Sequence, residues 1–78
     1  MINIYPNPNT GNFTLNLEKL NHDENINIVI YNTDGTLLKQ INVEKDKKEY
    51  NVSLNRKGLF IIRVTSNNNQ YSLPFIVH

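Results

Sequence analysis

The stretch from Asn25 to Val43, "NINIVIYNTDGTLLKQINV", carries the pattern that decides the fold. Ile26, Ile28 and Ile30 share one parity, and Asn25, Asn27, Val29 and Tyr31 the other. A period of two sends successive side chains to opposite faces, so this is a strand with one face in a core. "NTDG" at 32–35 follows. It suits a type I turn closed by Gly35 at positive φ, in a short hairpin loop with a bulge. "LLKQINV" returns from the turn less regularly, with Leu37, Lys39, Ile41 and Val43 on one parity. Strand, turn and strand with no 3.6-residue period predict an antiparallel hairpin.

The alternation recurs in both directions from that hairpin. "NFTLNL" sets Phe13, Leu15 and Leu17 against Thr14 and Asn16, and "YNVSL" groups Tyr50, Val52 and Leu54. "LFIIRV" turns Phe60, Ile62 and Val64 inward, and "QYSLPFIV" does the same with Tyr71, Leu73, Phe75 and Val77. "NRKG" at 55–58 and "NNNQ" at 67–70 are turn signals, and "EKLNHDEN" and "EKDKKE" are polar connections. Short strands with a turn about every 8–12 residues predict an all-β, immunoglobulin-like antiparallel β-sandwich of about seven strands. The expected core is Phe13, Leu15, Ile26, Ile28, Ile30, Val52, Leu54, Phe60, Ile62, Val64, Leu73 and Phe75. Gly35 and Gly58 are expected at positive φ. Pro74 cannot donate to a ladder, so the last strand is expected at a sheet edge or at a bulge.

Composition agrees with that reading. The chain has 15 Asn, nine Ile and no Ala, a bias toward turns and β-branched strands and away from helix. Its 78 residues make one domain, which buries only about 60–65% of its unfolded surface. There is no Cys, so no disulfide or thiolate metal site braces it. The net charge of +1 is too small for a nucleic-acid footprint, and only "KDKK" at 45–48 is dense in charge. No apolar run reaches the length of a membrane span. No secretory signal opens the chain; if the domain is exported, that signal belongs to a preceding part of a larger protein.

Residues able to do chemistry do not gather. His22 has only Asp23 and Glu24 beside it, and His78 is terminal, which predicts solvated positions and no metal site. Glu18, Asp34, Glu44, Asp46 and Glu49 fall in loops or at strand ends, where a carboxylate stays ordinary. Asp34 lacks the remaining ligand spacing of a calcium loop. No nucleophile has a His or Asp motif around it, so no enzyme is expected. "NFT" and "NVS" match the glycosylation pattern but lie inside expected strands. Tyr5, Tyr31, Tyr50 and Tyr71 could form an aromatic platform, although Tyr50 and Tyr71 have inward parity.

One stretch remains, "IYPNPNTGNFTL" at the start. Pro6 and Pro8 each hold φ near −65° and lack an N–H, so the segment cannot run on as a ladder. Each also extends the residue before it. The expectation is a stiff extended entry crossing from one sheet to the other, turned back by "NTG". Together with "INIVIYNTDGTLLKQ" and "LNRKGLFIIRV", this stretch resembles, in order and spacing, the type A C-terminal sorting domain of type IX secretion cargo. The matching residues are Tyr5, Pro6, Asn7, Pro8 and Gly11, then Tyr31, Asn32 and Gly35, then Leu54, Gly58 and Phe60. The resemblance spans essentially the whole chain.

The resemblance implies an address label rather than a catalyst. Such a domain folds in the periplasm of a Gram-negative bacterium and is recognised by an outer-membrane translocon. It carries an N-terminal cargo of the same chain to the surface or medium. A sortase-like cysteine peptidase removes it, here at a site upstream of Ile2, and can join the cargo to lipopolysaccharide. Residues 1–78 would be one such domain cut from a larger secreted protein, with no cofactor, metal or catalytic residue of its own. The terminal strand Tyr71, Ser72, Leu73, Pro74, Phe75, Ile76, Val77 and His78 is the candidate for recognition. One departure stands out: the family usually ends in a strand with Lys or Arg, and here none follows Arg63. A fibronectin-like or carbohydrate-binding accessory module of a surface enzyme is the alternative, and a plain spacer a third, since the sandwich alone does not decide function.

Overall fold

Seven strands form two antiparallel sheets in a computed structural model that describes residues 2–18, 25–67 and 69–78. They are β1 (Asn3–Tyr5), β2 (Asn12–Asn16), β3 (Ile26–Asn32), β4 (Leu37–Ile41), β5 (Glu49–Ser53), β6 (Gly58–Ser66) and β7 (Asn69–Val77). The smaller sheet has the order β1-β2-β5 and the larger β4-β3-β6-β7. In immunoglobulin lettering this is A-B-E facing C′-C-F-G, so the expected sandwich is found. Among the described residues there is no helix. β1, three residues long, is too short for its alternation to show in the sequence.

The inner faces meet in one core. Ile4, Phe13, Leu15, Leu17, Tyr50, Val52 and Leu54 come from the smaller sheet and its flanks. Ile28, Ile30, Phe60, Ile62, Val64, Phe75 and Val77 come from the larger. Phe75 joins the two, its ring 4.8 Å from that of Phe13 across the sandwich and 5.8 Å from that of Phe60 beside it. Tilted rings at these separations contribute beyond their buried area. The buried Tyr50 keeps its hydroxyl partnered, accepting from the Glu44 N–H at 3.2 Å.

Ten of the twelve expected core residues are buried; Ile26 and Leu73 are only half-buried, packed against the cluster. The smaller sheet is one strand narrower, so inward positions on the edge strand β4 and on the first part of β7, before Phe75, stand at a rim. Leu73 and Tyr71 lie on that rim in β7 and Lys39 lies on it in β4. Lys39 uses the position to span the sandwich, its Nζ donating to the Ser53 carbonyl at 3.2 Å. An inward-pointing cation on an edge strand also discourages pairing with another chain.

The expected parity of the β4 segment is corrected by a bulge. Tyr31 pairs with Leu37 but Ile30 pairs with Lys39, so Leu38 is the extra residue. The bulge turns Leu37 outward, 55% exposed, and lets Leu38 pack against the core. The turn itself is as expected, with Gly35 N–H donating to the Asn32 carbonyl at 3.1 Å and Gly35 at φ 90°. The β6–β7 loop is shorter than "NNNQ", because Ser66 and Asn69 already pair, and Asn67 takes φ 49°. The expectations for His22, Asp23 and Glu24, most of "EKLNHDEN", and Asn68 lie outside the described residues.

Gly11 and Gly35 separate two costs of replacing glycine. At Gly11 (φ 111°) an added Cβ would sit 2.7 Å from the backbone oxygen of Leu54, whose N–H donates to Gly11. At Gly35 nothing lies within 4 Å of such an atom. Gly11→Ala should therefore cost about 2–4 kcal/mol, backbone strain plus overpacking. Gly35→Ala should cost about 1 kcal/mol, from strain alone. Urea unfolding of both variants tests the difference, and equal losses would contradict the close approach at Gly11.

Candidate functional site

The sandwich brings its distant sequence motifs to one end, around the last residues of β7. Asn32, Phe60 and Phe75 lie in one cross-strand row, and Gly58 lies opposite Val77. Gly11 reaches the same end through its bond to Leu54, and its backbone approaches the Val77 side chain. Of the residues singled out in sequence, Leu54, Phe60, Phe75 and Val77 are core, and Gly58 has the expected positive φ of 137°.

The opening segment leaves the smaller sheet after Tyr5 and grips β7 in the larger. Asn7 Nδ2 donates to the Pro74 carbonyl at 3.3 Å, and its Oδ1 accepts from the Ile76 N–H at 3.2 Å. Asn9 N–H donates to the Ile76 carbonyl at 3.0 Å, and its own carbonyl accepts from the His78 N–H at 2.8 Å. The Asn7 amide thus stands in for one residue of a neighbouring strand, and Asn9 forms a parallel bridge with Val77. The expected crossing between sheets is observed. Both proline peptide bonds, Tyr5–Pro6 and Asn7–Pro8, are cis.

These bonds also explain Pro74. The backbone groups of Pro74, Ile76 and His78 point away from β6 toward the opening segment, so residue 74 would aim any N–H at the open edge. Proline lacks that group and loses no ladder bond there. The edge position expected from the sequence is where β7 lies.

Asn9 is the residue that sequence reasoning missed. It is 97% buried, and its side chain is fully engaged. Oδ1 accepts from the Gly11 N–H at 2.9 Å and Nδ2 donates to the Pro6 carbonyl at 3.1 Å. The first bond is the Asn-to-i+2 turn that Asn, Asp and Ser favour, and "NTG" was its signal. Removing the amide strands the buried Gly11 N–H and takes a donor from the Pro6 carbonyl.

The other candidates do not converge. Tyr5 and Tyr31 lie on opposite outer faces, and Tyr50 and Tyr71 point inward, so there is no aromatic platform. Tyr5 donates to Glu49 at 3.0 Å within an Asn, Thr and Ser ladder on the smaller sheet. Asn12 and Asn51 are both in strands. Among the described residues no three His, Cys, Asp or Glu side chains gather to hold a metal. Arg56 and Lys57 of the β5–β6 loop share a concavity of about 290 Å³ with Val77 and His78. Basic charge absent from β7 therefore stands beside its end.

A search of protein families matches residues 3–78 to the secretion system C-terminal sorting domain. The chain belongs to that family. It is a sorting signal for the type IX route, which exports its protein through the outer membrane to the cell surface or medium. No curated protein gives a match. A sorting domain performs no catalysis; it implies a cargo on its N-terminal side and the machinery of type IX secretion. No helix among the described residues is long and apolar enough to cross a membrane.

Asn9→Ala should cost the sorting domain about 2 kcal/mol, the penalty for the buried Gly11 N–H left without a partner together with the lost bond to the Pro6 carbonyl. A loss below about 0.5 kcal/mol in denaturant unfolding would show that water replaces the amide. The turn of the middle motif predicts a pH dependence. The Thr36 N–H donates to Asp34 Oδ1 at 2.9 Å and holds the carboxyl below its ordinary 3.8. A lowered folded pKa means that the unfolded chain binds the proton more readily. The contribution is therefore complete above 3.8 and fades as acid titrates the folded carboxylate. Asp34→Asn should remove that component of the acid limb of a stability–pH curve, and an unchanged limb would contradict it.

Proposed function

We propose that residues 1–78 act as one sorting domain of a larger exported protein, read through its terminal strand by an outer-membrane translocon. In this reading the cargo precedes the domain, and a sortase-like cysteine peptidase cuts upstream of Ile2. The recognised element is Tyr71–His78, held by Asn7 and Asn9 and flanked by Arg56 and Lys57. The observation that supports it is that the first and last motifs, far apart in sequence, both meet the end of that one strand, while the middle motif lies two strands away at the same end of the sheet. Tyr5, Pro6, Pro8 and Gly11 shape the clamp. Tyr31, Asn32 and Gly35 belong to the β3–β4 hairpin, which β6 separates from β7, while Leu54, Gly58 and Phe60 lie beside the end of β7.

A periplasmic reporter fused ahead of the domain, in a cell with an active type IX system, should reach the surface or medium. The domain should be removed, with the new terminus upstream of Ile2 by mass spectrometry. Deleting Tyr71–His78 should abolish export, but it also removes the buried Phe75 and Val77 and so unfolds the sandwich. Substitutions at the exposed Ser72 and His78 should leave the melting temperature within about 4 °C, which isolates recognition from folding. A fusion held in the periplasm, while a basic-ended sorting domain exports the same reporter, would overturn the proposal.

A further inference from the structure

The two outer faces of the sandwich differ in kind. On the smaller sheet the outward side chains are Asn, Thr, Ser and Glu49 with Tyr5, tied together by hydrogen bonds. On the larger sheet, the row Leu37, Tyr31, Ile61 and Pro74 crosses all four strands, and Leu59 and Ile76 pair in the row below. Leu37, Leu59 and Ile76 are 55%, 50% and 46% exposed, three of the four large apolar side chains left most open. Scattered exposed apolar residues need no explanation, but two adjoining apolar rows form a patch of the kind that marks an interaction site.

The charge on this face is as informative as its apolar area. The register puts one charged residue outward among the four strands, Arg63, in the next row between Val29 and Ser72. Its guanidinium lies over the Tyr31 ring at 5.2 Å and is half-buried. It has no carboxylate partner, the one ion pair among the described residues being Lys47 with Glu44. We infer that the outer face of the β4-β3-β6-β7 sheet docks an apolar protein surface that brings a carboxylate to Arg63. This rests on the sorting reading, in which machinery must grip the folded domain, and it names the face that is gripped. A second copy fits poorly, because a two-fold pairing of this face offers Arg63 no acid from either side. A polyanion fits poorly as well, since it needs a row of cations.

The test uses the reporter fusion with four variants. Leu59→Thr with Ile61→Thr removes apolar surface but keeps strand-forming residues. Arg63→Glu reverses the charge and Arg63→Lys keeps it. Asn12→Thr with Asn51→Thr alters the opposite face. The first two should each lower export about tenfold, as for loss of an interface anchor, at a melting temperature within about 4 °C of the parent. Arg63→Lys should fall between parent and reversal, and the opposite-face variant should export like the parent. If the double variant melts early, Arg63→Glu decides alone. Parent-level export of stable Arg63→Glu and apolar-face variants overturns this inference and leaves the sorting reading intact. A parent fusion that is not exported overturns both. A concentration-dependent dimer in sedimentation, lost in the Leu59→Thr/Ile61→Thr variant, overturns it in favour of a second copy.

Discussion

Four hydrogen bonds from Asn7 and Asn9 to the backbone of Pro74, Ile76 and His78 tie the first loop of the chain to its last strand. The end of the sandwich around β7 depends on that closure. β7 is an edge strand, and an uncovered edge offers backbone donors and acceptors to any extended chain. The loop covers its final third with a side-chain amide and one backbone bridge, while Pro74 removes a donor that would otherwise point outward. The loop can serve this way because Pro6 and Pro8 bar it from joining either sheet as a regular strand.

The same closure couples the end of β7 to the folding of the whole sandwich. Phe75 and Val77 project into the core from the strand whose edge Asn7 and Asn9 cover and whose other face is exposed at Ser72, Pro74 and Ile76. Phe75 touches an aromatic ring in each sheet, so β7 takes its place only when the sandwich is assembled. A domain of 78 residues without a disulfide has little other reserve. In the proposed reading, an address built this way reports that the domain has folded. It needs no catalytic group, and its chemistry is surface shape and charge.

The asymmetry of the outer faces follows from the same economy of size. A strand in a two-layer sandwich must bury one face only, and the other is free to be polar, as it is on β1, β2 and β5. The larger sheet departs from that at Leu37, Tyr31, Ile61, Pro74, Leu59 and Ile76. Folding does not require apolar side chains there, which is why the face reads as an interface.

Much of this was legible in the residues themselves. Period-2 alternation depends only on which side chains must leave water, so it marked six of the seven strands and most of the core. Pro74 announced an edge because a missing N–H cannot be hidden inside a sheet, and Gly35 and Gly58 announced turns by their conformational freedom. The three motifs carry the family resemblance by their order and spacing alone. What the residues could not show is which distant groups meet. That Asn7 bonds a strand 69 residues away, that Asn9 is buried, and that Arg56 and Lys57 stand beside His78 all follow from the order of strands, which no local pattern encodes. The outward turn of Leu37 required the bulge at Leu38, and the half-burial of Leu73 required one sheet to be narrower than the other. Local chemistry decided what each segment is, and long-range pairing, where hydrogen bonds are satisfied only across the assembled sheets, decided what each segment faces.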